Sequence, residues 1–159
     1  MSIEEFNECR NKGENDNYIC ELIRADSIDE FIAYINEKNI PINLKIKQSI
    51  FETNQFLIGK NPQLIKYAAF FGSIRIFKYL QLNKAKMSPK LLLYAIHSNN
   101  PEIIEILLEK KKKPKYTKYN ECLIESIKCH HNEFATYFKF TLMNNPNETN
   151  NVTESKYKY

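Results

Sequence analysis

The chain has 159 residues, the length of one ordinary domain, and its 43% hydrophobic and 13% aromatic residues are enough to form a buried core. Three glycines are too few for a turn-rich β-sandwich. The net charge of +4 is local, because residues 110–118 hold six lysines and no acid, so a uniformly basic nucleic-acid-binding face is not predicted.

Residues 1–16 are polar and are predicted to be an N-terminal segment with a short capping helix around Ile3 to Cys9. This segment lacks the charged and apolar regions of a signal peptide, and no apolar run approaches the roughly 20 residues that span a membrane. We therefore expect a cytoplasmic protein whose four cysteines are reduced.

Residues 18–35 predict two short helices with Asp26 at the turn between them. Ser27 and Glu30 have the spacing of a capping box for the second of these helices. The next segment, residues 39–60, is too apolar for a free linker and is predicted to form one or two extra helices or a degenerate repeat.

Residues 61–82 and 88–109 repeat one pattern when Gly72 is aligned with Asn99. Each half contains two runs of apolar residues at helical spacing, joined by a turn. Small alanines in the first run of each half allow a second helix to approach closely.

Polar residues before these runs predict where the helices begin. Asn61 and Ser88 each precede a proline, which suits an N-cap followed by the first helical position. Ser73 and Asn100 are the predicted caps of the second helices.

Residues 121–140 fit the same template with His130 at the turn, which gives four units. The turn residues are thus Asp26, Gly72, Asn99 and His130. Gly enters the left-handed backbone region freely, and Asn, Asp and His are enriched there. The pattern therefore predicts four turns with positive φ.

The stretches AAFFGSIRIFKYL and AIHSNNPEIIEILL resemble the ankyrin pattern AAxxGHxEIVKxLL, and more narrowly the divergent ankyrin-type proteins of parasitic protists. The resemblance covers about residues 18–143. The chain departs from the family pattern where the family has Thr-Pro-Leu-His and this chain has other residues. The resemblance implies an all-α, ankyrin-like helix-turn-helix repeat solenoid over residues 17–143, with shortened inter-repeat loops. Residues 144–159 are polar and are predicted to be a disordered tail.

In ankyrin-type proteins the residues before each turn face a concave groove that binds other proteins. The resemblance therefore implies a non-enzymatic module and scaffold for protein–protein interaction. For the aromatic rings at these positions, packing in the core is the alternative. The residues that the resemblance assigns to the concave face are Arg24, Tyr67, Phe70, Phe71, Tyr94, His97, Ser98 and Lys128.

The basic loop, residues 110–118, is a second candidate surface. It could attract RNA or an anionic lipid in a salt-sensitive manner, or it could be a plain solvated loop. Its lysines are Lys110, Lys111, Lys112, Lys113, Lys115 and Lys118.

Cys122, Cys129, His130 and His131 are the residues with metal-binding or nucleophilic chemistry that lie closest together in the sequence. The two cysteines are separated by two helical turns, about 10 Å, which is too far for one zinc ion. His130 is already assigned to a turn. We therefore expect no metal, no cofactor and no catalysis, and a monomer that binds an unidentified protein, with nucleic acid and membrane not expected as partners.

Overall fold

A computed structural model describes residues 2–109 and 119–144. Within these ranges the chain forms nine α-helices and no β-strand beyond one isolated bridge. The helices are α1 (Ile3–Lys12), α2 (Tyr18–Arg24), α3 (Ile28–Glu37), α4 (Leu64–Phe71), α5 (Ile74–Leu82), α6 (Leu91–Ser98), α7 (Pro101–Glu109), α8 (Tyr119–Lys128) and α9 (Asn132–Asn144). Among the helices of the described ranges, none has the length and apolar character needed to cross a bilayer.

The helices from α2 onward pack in consecutive pairs. Helix α2 packs on α3, α4 on α5, α6 on α7 and α8 on α9. Successive pairs are also in contact, because α2 packs on α4, α4 on α6 and α6 on α8, while α3 packs on α5 and α5 on α7. One hydrophobic cluster runs through all four pairs and includes the fully buried side chains of Ile23, Phe31, Ile65, Phe77, Ile96 and Phe138.

The turn inside each pair has the left-handed backbone that the sequence predicts. The φ angles are 49° at Asp26, 74° at Gly72, 51° at Asn99 and 58° at His130. In three of the turns, the amide of the following residue donates to the carbonyl five residues earlier, which is the hydrogen bond of a Schellman motif. These bonds are Ser27 N to Leu22 O, Ser73 N to Ala68 O, and His131 N to Ser126 O.

Hydrogen bonds from one turn to the next hold the first two pairs together. The Asp26 carboxylate accepts from the amides of Arg75 and Ile76, both at 3.0 Å, and so caps the start of α5. The buried Ser73 hydroxyl, predicted as the cap of α5, instead donates to the carbonyl of Ile23. The cap of α5 is therefore supplied by the preceding pair, which no local rule anticipates.

The Asn100 side chain makes the corresponding link to the third pair. Its Nδ2 donates to the Gly72 carbonyl at 3.1 Å, while its Oδ1 accepts from the amides of Glu102 and Ile103 at 3.1 and 3.2 Å. Asn100 thus caps α7 as predicted and also binds the preceding turn. Pro101 is the first residue of α7, as predicted.

Other predicted helix starts are wrong. Helix α4 begins at Leu64, because the Pro62 carbonyl accepts from the amide of Ile46 at 2.8 Å and the chain there is extended. Helix α6 begins at Leu91, and the buried Ser88 hydroxyl makes no hydrogen bond within the described residues. Helix α3 does begin after Ser27 as predicted, but among the described residues the Ser27 side chain forms no capping bond, so the predicted capping box is absent.

The segment of residues 38–63 contains no helix in the described structure, so the prediction of extra helices between 39 and 60 is wrong. Its apolar side chains Ile46, Phe51 and Leu57 are buried although the backbone is irregular. The segment is fixed to the chain before α2: Thr53 donates to the Gly13 carbonyl from both its amide and its hydroxyl. Its hydrophobic content therefore reflects packing of a loop on the helices.

Candidate functional site

A groove of about 1020 Å³ lies between the 38–63 segment and the helices α4, α6 and α8. Aromatic and charged side chains line it together. The lining comes from the end of α1 and the loop after it, Lys12 to Glu14, from Glu52 to Phe56 and Lys60 of the 38–63 segment, and from Phe70, Phe71, His97, Glu125, Lys128 and Cys129.

Phe56 of the 38–63 segment packs on aromatic side chains of α4 and α6. The helices that border the groove, α4, α6 and α8, are called the inner helices below. Its ring centroid lies 5.8 Å from that of Phe70, 5.0 Å from that of Tyr94 and 4.1 Å from that of His97. The Lys60 ammonium lies 3.4 Å from the Phe56 ring centroid, in a cation–π contact. The segment therefore occupies part of the surface that the family resemblance left open.

Three of the residues predicted on the concave face are buried. Tyr67 is 1% exposed, and Phe70 and Tyr94 are each 7% exposed. These three rings therefore have the core packing that the sequence left open as the alternative to an exposed face. Burial also raises the pKa of Tyr67 and of Tyr94, which keeps both phenols protonated.

Arg24, another predicted contact residue, is committed to contacts within the chain. Its Nη1 donates to the Asn15 carbonyl at 2.9 Å and to the Tyr67 hydroxyl at 2.8 Å, and its Nε is 3.0 Å from the Glu14 carboxylate. The Arg24 side chain is 14% exposed. Its guanidinium joins α2, α4 and the preceding loop, so Arg24 has a structural role in this conformation.

Ser98 has a comparable local role. Its hydroxyl donates to the Ala95 carbonyl at 2.8 Å and accepts from the Asn100 amide at 3.2 Å, within the turn after α6. Of the predicted residues, Phe71, His97 and Lys128 present surface to the groove: Phe71 and His97 are half-buried and Lys128 is exposed.

His97, Glu125 and Cys129 form a cluster at the edge of the groove. His97 Nε2 lies 3.0 Å from Glu125 Oε1, and His97 Nδ1 lies 3.5 Å from Cys129 Sγ. All three side chains are half-buried. Sequence reasoning missed this cluster because it compared Cys129 with His130 and His131, its neighbours along the chain.

Burial disfavours the charged forms of His97 and Cys129, whereas a cysteine nucleophile acts as the thiolate. Burial lowers the pKa of His97, against an opposing effect of Glu125, and burial raises the pKa of Cys129, with Glu125 adding to the rise. Reactive cysteines instead have a lowered pKa, as in thiolate–imidazolium pairs. The cluster therefore lacks the electrostatics of an activated thiol.

The contribution of the Phe56 ring contacts to the stability of the protein can be measured. We expect Phe56→Ala to lower the free energy of unfolding by about 1 to 2 kcal/mol, less than for a fully buried ring, because Phe56 is half-buried. Ile58→Ala is the matched control in the same segment, since Ile58 is 52% exposed, and should change stability by less than about 0.5 kcal/mol. Equal losses in urea unfolding would contradict the placement of Phe56.

The basic loop, Lys110 to Lys118, and the tail from residue 145 lie outside the described residues. Binding of RNA or anionic lipid by this loop stays a prediction.

Comparison with known families gives one match. A family model described as "Domain of unknown function (DUF3447)" matches residues 82–158, just under half of the chain. This domain is found in proteins that contain ankyrin repeats. The described part of the match includes α6, α7, α8 and α9, and thus the His97 cluster. Neither the curated proteins nor the solved structures give a match to this chain.

Proposed function

We propose that the chain is a non-enzymatic interaction module: an ankyrin-like solenoid of four helix pairs that binds a segment of a partner protein. Support comes from the four left-handed turns, the chain-order packing of successive pairs, and the match to a domain found in ankyrin-repeat proteins. A helix pair of this size cannot bury its apolar face alone, and stacked pairs present a long surface suited to recognition of other proteins.

The groove between the 38–63 segment and the inner helices is the observation that carries the proposal. It combines the half-buried Phe71 ring with the charged side chains of Glu14 and Lys128. An aromatic anchor with charges of both signs around it suits a peptide that inserts an apolar side chain and pairs its own charges at the edges. The binding surface is therefore this narrower groove, and the open face implied by the resemblance is not needed.

The electrostatics of the groove support a binding role over a catalytic one. Cys129 and His97 are the nucleophile and base that a catalytic reading would require. Burial and the nearby Glu125 carboxylate raise the pKa of Cys129, which works against the thiolate that a nucleophile needs. A non-enzymatic role requires only that the Cys129 and His97 side chains make contacts.

A comparative affinity capture tests the proposal. Tagged full-length chain would be used to recover proteins from its native cell, with quantitative mass spectrometry of the wild type, Phe71→Ala and Lys128→Glu. We expect the amount of each protein that the wild type captures specifically to fall about tenfold or more with Phe71→Ala, as for a hot-spot residue. A smaller loss, sensitive to salt, is expected with Lys128→Glu.

Two controls lie outside the groove on α9. Tyr137→Ala removes a ring that is 44% exposed, and Lys139→Glu reverses a charge at an exposed position. Both should retain the captured proteins. The groove is not the binding site if its variants unfold at the same denaturant concentration as the wild type and still capture the same proteins in the same amounts.

A further inference from the structure

We propose that His97, Glu125 and Cys129 form a binding site for zinc or for another divalent transition-metal ion with similar ligand preference. This site is separate from the partner-binding role proposed above, and nothing in the family match assigns it. Imidazole nitrogen, carboxylate oxygen and cysteine sulfur are the three ligand types that proteins use for zinc.

The distances fit such an ion after a small adjustment. One ligand atom from each residue can be chosen so that all three lie within 4.8 Å of one another. Zinc–ligand bonds of about 2.0 to 2.3 Å in a tetrahedron place ligand atoms about 3.3 to 3.8 Å apart. One imidazole gives a single nitrogen to an ion, so the 3.0 Å contact of Nε2 with Glu125 and the 3.5 Å contact of Nδ1 with Cys129 cannot both be ligand separations. With one nitrogen chosen, the ligand atoms lie up to 4.8 Å apart, about 1 Å wider than the tetrahedral spacing, and side-chain rotation closes that difference.

Two packed helices hold the ligands in place. Glu125 and Cys129 are four residues apart and therefore lie on one face of α8, with Cys129 directly after its end, while His97 comes from the last turn of α6. Their neighbours Ile96 and Ser126 are fully buried. The backbone of the site is thus part of the core, and a metal would link the third helix pair to the fourth.

Two lysines near the cluster oppose a cation. Lys128 Nζ lies 3.5 Å from Glu125 Oε2, and Lys60 lies over the neighbouring Phe56 ring. Glu125 and a Cys129 thiolate together supply two negative charges, which balance the charge of a divalent ion. The Lys128 side chain is 65% exposed, so it can turn into solvent when the ion replaces it.

The site also faces open space. His97, Glu125 and Cys129 all line the groove, so an ion held by them keeps one coordination position directed there. Zinc sites with three protein ligands fill this position with water or with a group from a bound molecule.

Cobalt titration of the reduced, metal-free full-length chain tests the site. We expect equimolar Co²⁺ to give a near-ultraviolet thiolate-to-cobalt charge-transfer band. Cys129→Ser should abolish this band. Cys9→Ser is the matched control, since Cys9 is a half-buried cysteine on α1 outside the cluster, and should leave the band unchanged.

The other two ligands have their own variants. Glu125→Gln and His97→Gln should each lower Co²⁺ affinity by about tenfold or more, at least the loss seen when an outer-shell partner of a metal ligand is removed. Zn²⁺ should raise the thermal unfolding midpoint of the wild type and of Cys9→Ser but not of Cys129→Ser.

The proposal is overturned if the folded wild type shows no thiolate-to-cobalt band, or if the band survives Cys129→Ser. Should Cys129→Ser fail to fold, Glu125→Gln decides: unchanged Co²⁺ affinity in that variant contradicts the site, and a loss of about tenfold supports it.

Discussion

Gly72→Ala is expected to lower the free energy of unfolding by about 2 to 5 kcal/mol, from left-handed strain of about 1 to 2 kcal/mol and crowding of about 1 to 3 kcal/mol. Gly72 has a φ of +74°, and a Cβ placed there would lie 3.2 Å from Ser98 Cβ and 3.5 Å from Asn100 Cβ. Both neighbours belong to the next helix pair. The substitution therefore tests the close approach of one turn to the next.

Gly59→Ala is the matched control. Gly59 has a similar φ of +77°, but among the described residues a Cβ there would meet nothing within 4 Å. We expect a loss of about 1 to 2 kcal/mol, from backbone strain alone. Chemical denaturation of both variants gives the comparison, and equal losses would show that the second and third pairs do not approach each other at Gly72.

Asp26→Ala is expected to lower the free energy of unfolding by about 1.5 to 4 kcal/mol, the sum of a lost cap and of backbone strain. It removes the cap of α5, since the Asp26 carboxylate accepts from the Arg75 and Ile76 amides, and a lost cap costs about 0.5 to 2 kcal/mol. It also places alanine at a φ of 49°, where a residue without a short polar side chain is strained by about 1 to 2 kcal/mol. Urea unfolding of the full chain measures the sum.

Two further substitutions at Asp26 separate these effects. Asp26→Asn keeps an acceptor oxygen and the tolerance of positive φ, so its loss should be the smallest. Asp26→Gly relieves the strain but removes the acceptor, so it reports mainly the cap. The expected order of loss is Asn, then Gly, then Ala. Wild-type stability in Asp26→Gly would contradict a cap supplied from one helix pair to the next.

The turns inside the helix pairs were predictable because positive φ restricts the residue to a few types, and Asp26, Gly72, Asn99 and His130 all belong to that set. Lys84 shows the limit of this reasoning. It also has positive φ, where α5 ends, yet lysine carries no preference for that region. The Ala85 amide donates to the Leu80 carbonyl at 2.9 Å, the same Schellman bond as in the turns inside the pairs, so the helix end fixes the conformation although the residue type does not reveal it.

The 38–63 segment shows a second limit. Its apolar residues indicate burial, but burial of a loop and burial of a helix leave similar composition when periodicity is weak. The predicted start of α4 was wrong because of a long-range contact. The hydrogen bond from the Ile46 amide to the Pro62 carbonyl overrides the local preference for a helix that begins at the proline. The contact of Phe56 with the inner helices follows from this long-range packing.

The His97 cluster was only half visible in the sequence. The spacing of Glu125 and Cys129 places them on one face of a helix, which a pattern search can find. His97 joins them through the packing of α6 on α8, and that contact spans 28 residues between His97 and Glu125. Helix periodicity predicts which face is buried but not which residues of two faces meet.

The 38–63 segment lies across the inner helices and borders the groove that we propose as the binding surface. A nuclear Overhauser spectrum of the full-length chain with labelled aromatic residues tests it most directly. We expect cross-peaks between the Phe56 ring and the His97 ring, whose centroids are 4.1 Å apart, and between the Phe56 ring and the Phe70 ring. Absence of both, in a spectrum that shows the Phe70–Phe71 contact, would contradict it.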